Sequence, residues 1–174
     1  MPKLGFFPGS TIGNMVAYSA VELLRSMRET LGDNSKLLIG MDLIKERKQL
    51  IAAYDDAQGV TGDFNLNLAR RINRELDGTI PVEKLRHRAI WNDVFARIEM
   101  HLEATDDLVF EVGGASFTMV RGETIHTENS HKFGRRSQNV LLLAGGWTPL
   151  QRWTDSKDRF SVILAEATQA RAAP

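Results

Sequence analysis

The sequence predicts an α/β fold in which a parallel strand-helix-strand unit and a closing β-hairpin flank an inserted α+β segment. Three observations predict it. A short apolar run at Leu4 to Phe7 is followed by a 3.6-residue pattern and then by a second apolar run, Lys36 to Ile44, which reads as strand, helix and parallel strand. From residue 45 to about 127 the pattern changes to short helices and then to period-two alternation. The chain returns to a helix and two strands joined by a polar turn after that.

Taken in order, Leu4, Phe6 and Phe7 are expected to form a buried strand ended by Pro8-Gly9. From Thr11, the residues Ile12, Met15, Val16, Ala20, Leu23, Leu24, Met27 and Leu31 recur at three and four positions. They predict a long amphipathic helix with the Ser10-Thr11 pair as its N-cap and Gly32 at its C-terminus. Lys36 to Ile44 predicts a fully buried strand. Lys45 to Asp56 reads as a short helix with Leu50, Ile51 and Tyr54 on one side, and a second helix, about Asp63 to Leu76, has Phe64, Leu68 and Ile72 as its expected buried stripe. Pro81 introduces a third, short, basic helix over Val82 to Arg88.

Beyond Ala89, Ile98, Met100 and Leu102 alternate with Arg97, Glu99, His101 and Glu103, and Leu108, Phe110 and Val112 repeat the pattern before Gly113-Gly114. An antiparallel meander of three or so strands follows, with the two glycines as a hairpin turn. At Glu128-Asn129-Ser130 the chain is expected to become helical, with Phe133, Val140, Leu141 and Ala144 on one face and Gly145-Gly146 as its stop. Thr148 to Trp153 and Phe160 to Ala165 form the closing hairpin, and residues 168–174 form a frayed Ala-rich tail. The expected organisation is therefore 1–44 with 128–167 as one core and 45–127 as an inserted subdomain.

The 174 residues suffice for one domain carrying an insertion. Hydrophobic residues at 43% and charged residues at 25% fit a soluble globular chain, and no apolar run approaches the roughly 18 residues of a membrane helix. Twenty-two basic and 22 acidic residues cancel, so no global field steers the chain toward nucleic acid or an anionic membrane. A small neutral or zwitterionic ligand is the better match. The absence of cysteine excludes disulfides and thiol chemistry, and a cytoplasmic location is expected.

The stretch Phe6 to Met15 carries the first candidate site, because a strand-to-helix turn at the end of a parallel strand is where open sheets bind ligands. Gly9 allows close backbone approach. Asn14 serves either a local turn bond or a ligand's carboxylate or amine. Tyr54 and Met100 lie on apolar stripes where core packing is the ordinary role. Glu128 and Ser130 are either part of a helix cap or a carboxylate and hydroxyl that satisfy the two nitrogens of an imidazole. Asp42, near the end of the second parallel strand, stands at the ligand-binding edge. His87, His101, His126 and His131 show no metal-ligand spacing on a common face, so no metal site is expected.

Several ordered motifs carry a resemblance that spans about Leu4 to Ala165. They are Phe7 to Asn14 (FPGSTIGN), residues 52–57 (AAYDDA), 59–61 (GVT), 74–76 (REL), 91–93 (WND), 98–100 (IEM) and 127–133 (TENSHKF). Together they resemble the histidine-specific N-alpha-methyltransferases of ergothioneine biosynthesis, and the element order resembles the second half of a class I, Rossmann-like, S-adenosylmethionine-dependent methyltransferase. The resemblance implies that Gly9 and Asn14 hold the substrate's amino and carboxylate ends. It further implies that Tyr54 contacts that end as well, that Met100 walls the imidazole, and that Glu128 and Ser130 bind its nitrogens. Asn14 and Tyr54 are the implied catalytic pair, orienting the amine for methyl transfer. The inserted subdomain is by the same resemblance a substrate-binding one.

Members of that family are about twice as long, and the glycine-rich cofactor turn has no counterpart here: no G-x-G-x-x-G occurs. The resemblance therefore implies the substrate-binding half of such an enzyme, using S-adenosylmethionine only when a cofactor half is supplied. The alternative is an inactive truncated homologue that at most binds an amino acid. A homodimer burying the exposed sheet edge at Phe7 is expected.

Overall fold

In the computed structural model residues 2–167 are described; the expected frayed tail, 168–174, lies outside the described residues. The elements run β1 (Leu4–Phe7), a 3-10 turn (Thr11–Asn14), α1 (Ala17–Leu31), β2 (Lys36–Asp42), α2 (Arg47–Tyr54), α3 (Val60–Glu75) and a second 3-10 turn (Val82–Lys84). There follow β3 (Leu85–Asn92), β4 (Arg97–Ala104), β5 (Leu108–Val112), β6 (Ala115–Met119), β7 (Thr124–His131), α4 (Arg135–Ala144), β8 (Trp147–Thr154) and β9 (Phe160–Ala167). The chain divides into two units, Met1–Lys45 with Ser130–Pro174, and Glu46–Asn129.

The first unit is a four-stranded sheet in the order β1-β2-β9-β8. β1 and β2 pair in parallel with Phe6 opposite Leu38, and β2 pairs antiparallel with β9, Ile39 opposite Ile163. This is a mixed α/β arrangement, a parallel βαβ followed by an antiparallel hairpin. Its centre is Ile12, Leu24, Ile39, Met41, Leu142, Trp147 and Ile163, each 0% exposed. Burying such side chains contributes about 1.5–3 kcal/mol each. Trp147 spends its one polar atom by donating Nε1–H to the Leu24 carbonyl at 2.9 Å. Gly40 is required by sterics, since a Cβ there would lie 1.9 Å from the Pro8 carbonyl oxygen where the chain leaves β1 over β2.

Three expectations are corrected. β1 is not buried: it is the outer strand of its sheet, and Leu4 and Phe6 are 61% and 68% exposed. The helix does not start at Thr11, because the Ser10 hydroxyl accepts the Asp42 backbone N–H at 2.9 Å instead of capping. Gly13 and Asn14 are poor helix formers, so a 3-10 turn ends in extended Met15 and α1 begins at Ala17. Glu128 to Ser130 belong to strand β7 rather than to a helix cap, and α4 instead begins after Gly134, where the Ser137 hydroxyl donates to the Gly134 carbonyl at 3.0 Å.

The second unit has a three-stranded sheet, β3-β4-β7, and a hairpin, β5-β6, whose turn is Gly113-Gly114 with φ 56° and 81°. Such positive values suit glycine. Residues 85–88 are strand, not helix: Leu85, Ala89 and Trp91 are buried while Arg86 and Arg88 pair outward with Glu103 across the β3-β4 ladder. Period two there outweighs the helical look of a basic run after Pro81. The buried side of α3 is also rotated from the expected stripe. Phe64 and Leu68 are 67% and 42% exposed, and Asn65 and Ala69 are buried in their place. Among the described residues no helix is long and apolar enough to cross a membrane.

Candidate functional site

In the first unit three chain segments meet at the C-terminal ends of the parallel strands. The turn after β1 is tied to the end of β7, since His131 Nδ1 bonds the Gly13 carbonyl at 2.9 Å and a Cβ on Gly13 would lie 2.8 Å from the His131 carbonyl oxygen. The end of β2 joins the same group through Phe133 N–H to the Asp42 carbonyl at 2.9 Å and Ile44 N–H to the Phe133 carbonyl at 3.2 Å. Ser10 holds a left-handed φ of 56°, unusual for a residue with a Cβ, and its bond to Asp42 keeps it there.

This geometry places Gly9 and Asn14 on the exposed rim of that turn and Ser130, 9% exposed, beside it in the same unit. Ser130 is held by a residue that the sequence reading passed over. Lys132, 3% exposed, donates from Nζ to the Ser130 hydroxyl oxygen at 2.8 Å and pairs with Asp42 at 2.9 Å. Asp42 also pairs with Lys45 at 2.5 Å. The signal was present in Ser130-His131-Lys132, where the two-residue spacing points both polar side chains to one side of an extended chain. Asp42, a weaker candidate in the sequence, is thus the carboxylate that balances a buried ammonium.

In the second unit Tyr54 ends α2 and packs against a buried cluster of Leu50, Ala89, Trp91, Ile98 and Met100. Met100 is 5% exposed, with its backbone carbonyl accepting the Thr127 hydroxyl at 2.9 Å. The Tyr54 carbonyl accepts from His87 Nε2 at 2.7 Å. A carbonyl only accepts, so Nε2 carries the hydrogen and Nδ1 takes the Asn65 amide N–H at 3.0 Å. His87 is thereby a structural residue.

Glu128 is half-buried on β7, two residues before Ser130 on the same strand. Burial pushes its carboxyl up from the ordinary range. A desolvated carboxylate gains more from an N–H donor than one in water, and this suits an imidazole ligand.

The histidines depart from expectation. His101 and His126 stack with centroids 4.7 Å apart, and Glu99 joins them so that one donor atom from each lies within 4.8 Å of the others. Spacing along the chain missed this because His126 comes from a different strand. Burial lowers the pKa of His101, outweighing its bond to Glu99. No glycine-rich cradle for a nucleoside accompanies the sheet ends among the described residues. The two double glycines are the β5-β6 turn and the stop of α4, where a Cβ on Gly145 would lie 2.4 Å from the Cβ of Leu24.

Comparison with known proteins agrees with the motif reading. A family profile described as histidine-specific methyltransferase, SAM-dependent, matches residues 1–167. Histidine N-alpha-methyltransferase of Mycobacterium tuberculosis is 37% identical over 165 residues, covering 94% of this chain and 51% of that protein. The enzyme of the same name from Mycolicibacterium smegmatis is 38% identical over 167 residues, with the same coverage, 94% and 51%. Ergothioneine biosynthesis protein 1 of Neurospora crassa is 27% identical over 183 residues, covering 95% of this chain and 20% of that protein. The chain thus spans about half the length of the two bacterial relatives.

Proposed function

Because the chain belongs to the histidine-specific, S-adenosylmethionine-dependent methyltransferase family, we propose that it is the substrate-binding half of a histidine N-alpha-methyltransferase. The reaction is transfer of methyl groups from S-adenosylmethionine to the α-amino nitrogen of histidine. The observation that carries the reading is the pair on β7, a desolvated Glu128 followed two residues later by Ser130. Glu128 accepts an imidazole N–H and Ser130 bonds the other ring nitrogen, which disfavours amino acids whose side chains lack those two atoms. Gly9 leaves room for the substrate backbone, Asn14 and Tyr54 orient the amine, and Met100 walls the ring. Such positioning can be worth on the order of 7 kcal/mol of a barrier.

Calorimetry with histidine tests it. The expected result is saturable binding that Glu128→Ala weakens by about tenfold or more, which corresponds to about 1.4 kcal/mol. Absence of binding, or equal binding by the variant, overturns the assignment.

A second reading is an inactive homologue that at most binds an amino acid; the chain matches 51% of the length of the two bacterial enzymes. Titration with S-adenosylmethionine separates the two. Saturable cofactor binding by this chain overturns the second reading. We also propose a homodimer through the β1 edge, supported by exposed Leu4 and Phe6 and by an apolar groove of about 280 Å³ between β1 and α1 lined by Phe7, Met27 and Leu31. A monodisperse monomer in light scattering overturns that.

A further inference from the structure

One cluster in the second unit is used by nothing above. Glu99 and His101 stand two residues apart on β4 and so share a face, and His126 reaches them from β7, the neighbouring strand. The intervening Ile98 and Met100, 0% and 5% exposed, point to the apolar cluster on the other face. One donor atom of each of the three residues lies within 4.8 Å of the others.

Each of the three is also steadied from behind. The Glu99 Oε1 atom is held by Arg97 Nη2 at 2.6 Å and by Asn92 Nδ2 at 2.9 Å, leaving Oε2 to face His101 Nε2 at 3.3 Å. His101 Nδ1 lies 3.2 Å from the Thr124 hydroxyl. His126 donates Nε2–H to the Glu128 backbone carbonyl at 3.1 Å, so in the neutral ring Nδ1 carries the lone pair. Metal-binding histidines characteristically pass their second ring nitrogen to a hydroxyl or carbonyl, and metal-binding carboxylates are themselves hydrogen-bonded. All three residues have that support.

We propose that Glu99, His101 and His126 form a site for a divalent metal ion of the zinc class. Two imidazoles and one carboxylate suit zinc, cobalt or nickel, whereas calcium and magnesium require mainly oxygen donors. Zinc bonds of about 2.0–2.2 Å bring tetrahedral donors to roughly 3.4 Å apart, so the cluster must close on the ion. The exposed His126 ring supplies that movement, and the fourth position is left to water. A bound ion would fasten β4 to β7.

The competing arrangement needs no metal: His101 Nε2–H donates to Glu99 while the Thr124 hydroxyl donates to Nδ1. His126 plays no part in that relay, so it is the discriminating residue. The test uses the full chain without an affinity tag, freed of metal by a chelator and titrated with zinc chloride by calorimetry and with cobalt chloride by visible absorption. The expected result is one equivalent per chain, a cobalt ligand-field spectrum of low coordination number, and a melting temperature raised by zinc. His126→Ala, at an exposed position, and Glu99→Gln should each weaken zinc by about tenfold or more and abolish the zinc-induced shift in melting. No saturable binding by the wild-type chain, or binding equal in His126→Ala, overturns the site. The outcome is independent of whether histidine binds.

Discussion

The first unit buries a charge beside its candidate site, whereas the second buries an amide. Lys132, whose side chain is 1% exposed, faces Asp42, 18% exposed, at 2.9 Å. Asn65, 4% exposed, instead spends its amide hydrogens on His87 Nδ1 at 3.0 Å and the His101 carbonyl at 3.1 Å. The second unit also buries a carboxylate, Glu103 at 8% exposed, but the charges that meet it stay in water: Arg86 at 2.6 Å and Arg88 at 3.0 Å are 65% and 54% exposed. A buried ion is tolerable only while its partner remains, since the desolvation cost has already been met. A buried amide risks only its hydrogen bonds, and an exposed pair risks little. Position relative to water, more than bond length, therefore ranks these polar contacts.

Asp42→Ala should be the most damaging of the polar substitutions, because it removes the carboxylate that faces the buried Lys132 ammonium. The expected loss is about 3 kcal/mol in urea unfolding. A loss below about 1 kcal/mol would mean that water reaches Lys132 and would remove the contrast between the units. Asn65→Leu should cost less, about 2 kcal/mol by the same measurement, since it leaves the His87 ring nitrogen and the His101 carbonyl without their donor while adding apolar volume. If it costs more than Asp42→Ala, the buried amide outranks the buried ion and the comparison reverses.

Much of this was legible in the chain itself. The strand carrying Ile98, Met100 and Leu102, all three buried, and the closing hairpin over Thr148 to Trp153 and Phe160 to Ala165 were readable from the apolar pattern along the chain. Residues 85–88 were misread, because a basic run after Pro81 looks helical until Glu103 pairs with it from β4. The stripe on α3 was misread too: Phe64 and Leu68 are apolar, yet Asn65 is buried because His87 and His101 supply it with partners. The motif at 127–133 contains Lys132 but gave a role only to Glu128 and Ser130, because the role of Lys132 depends on Asp42, 90 positions earlier in the numbering. Long-range pairing between polar side chains has no local period, so no pattern along the chain announces it.

Glu128→Gln carries the contrast to titration and should be smaller again. Burial raises the Glu128 carboxyl, so the folded state holds its proton more tightly than the unfolded state does. The stability this contributes is fully present below the unfolded value and is lost as pH rises through the folded one. The glutamine variant should therefore gain on the wild type as pH increases through that window in thermal melts. A gap between the two proteins that is constant with pH would show that the carboxyl is solvated.

Glu103→Gln should have the smallest effect of the four and the opposite pH sign. Hydrogen bonds from Arg86 first and Arg88 second hold its carboxyl below the ordinary range, so its contribution is present above the unfolded value and fades as pH falls through the folded one. Both arginines lie mostly in solvent, and salt screens such pairs. Wild type and variant should accordingly differ slightly in melting temperature at neutral pH and low salt, and converge in high salt or acid. A difference that survives high salt and matches that of Asn65→Leu would mean the outer sheet face is shielded from water. The ranking would then follow from geometry rather than exposure.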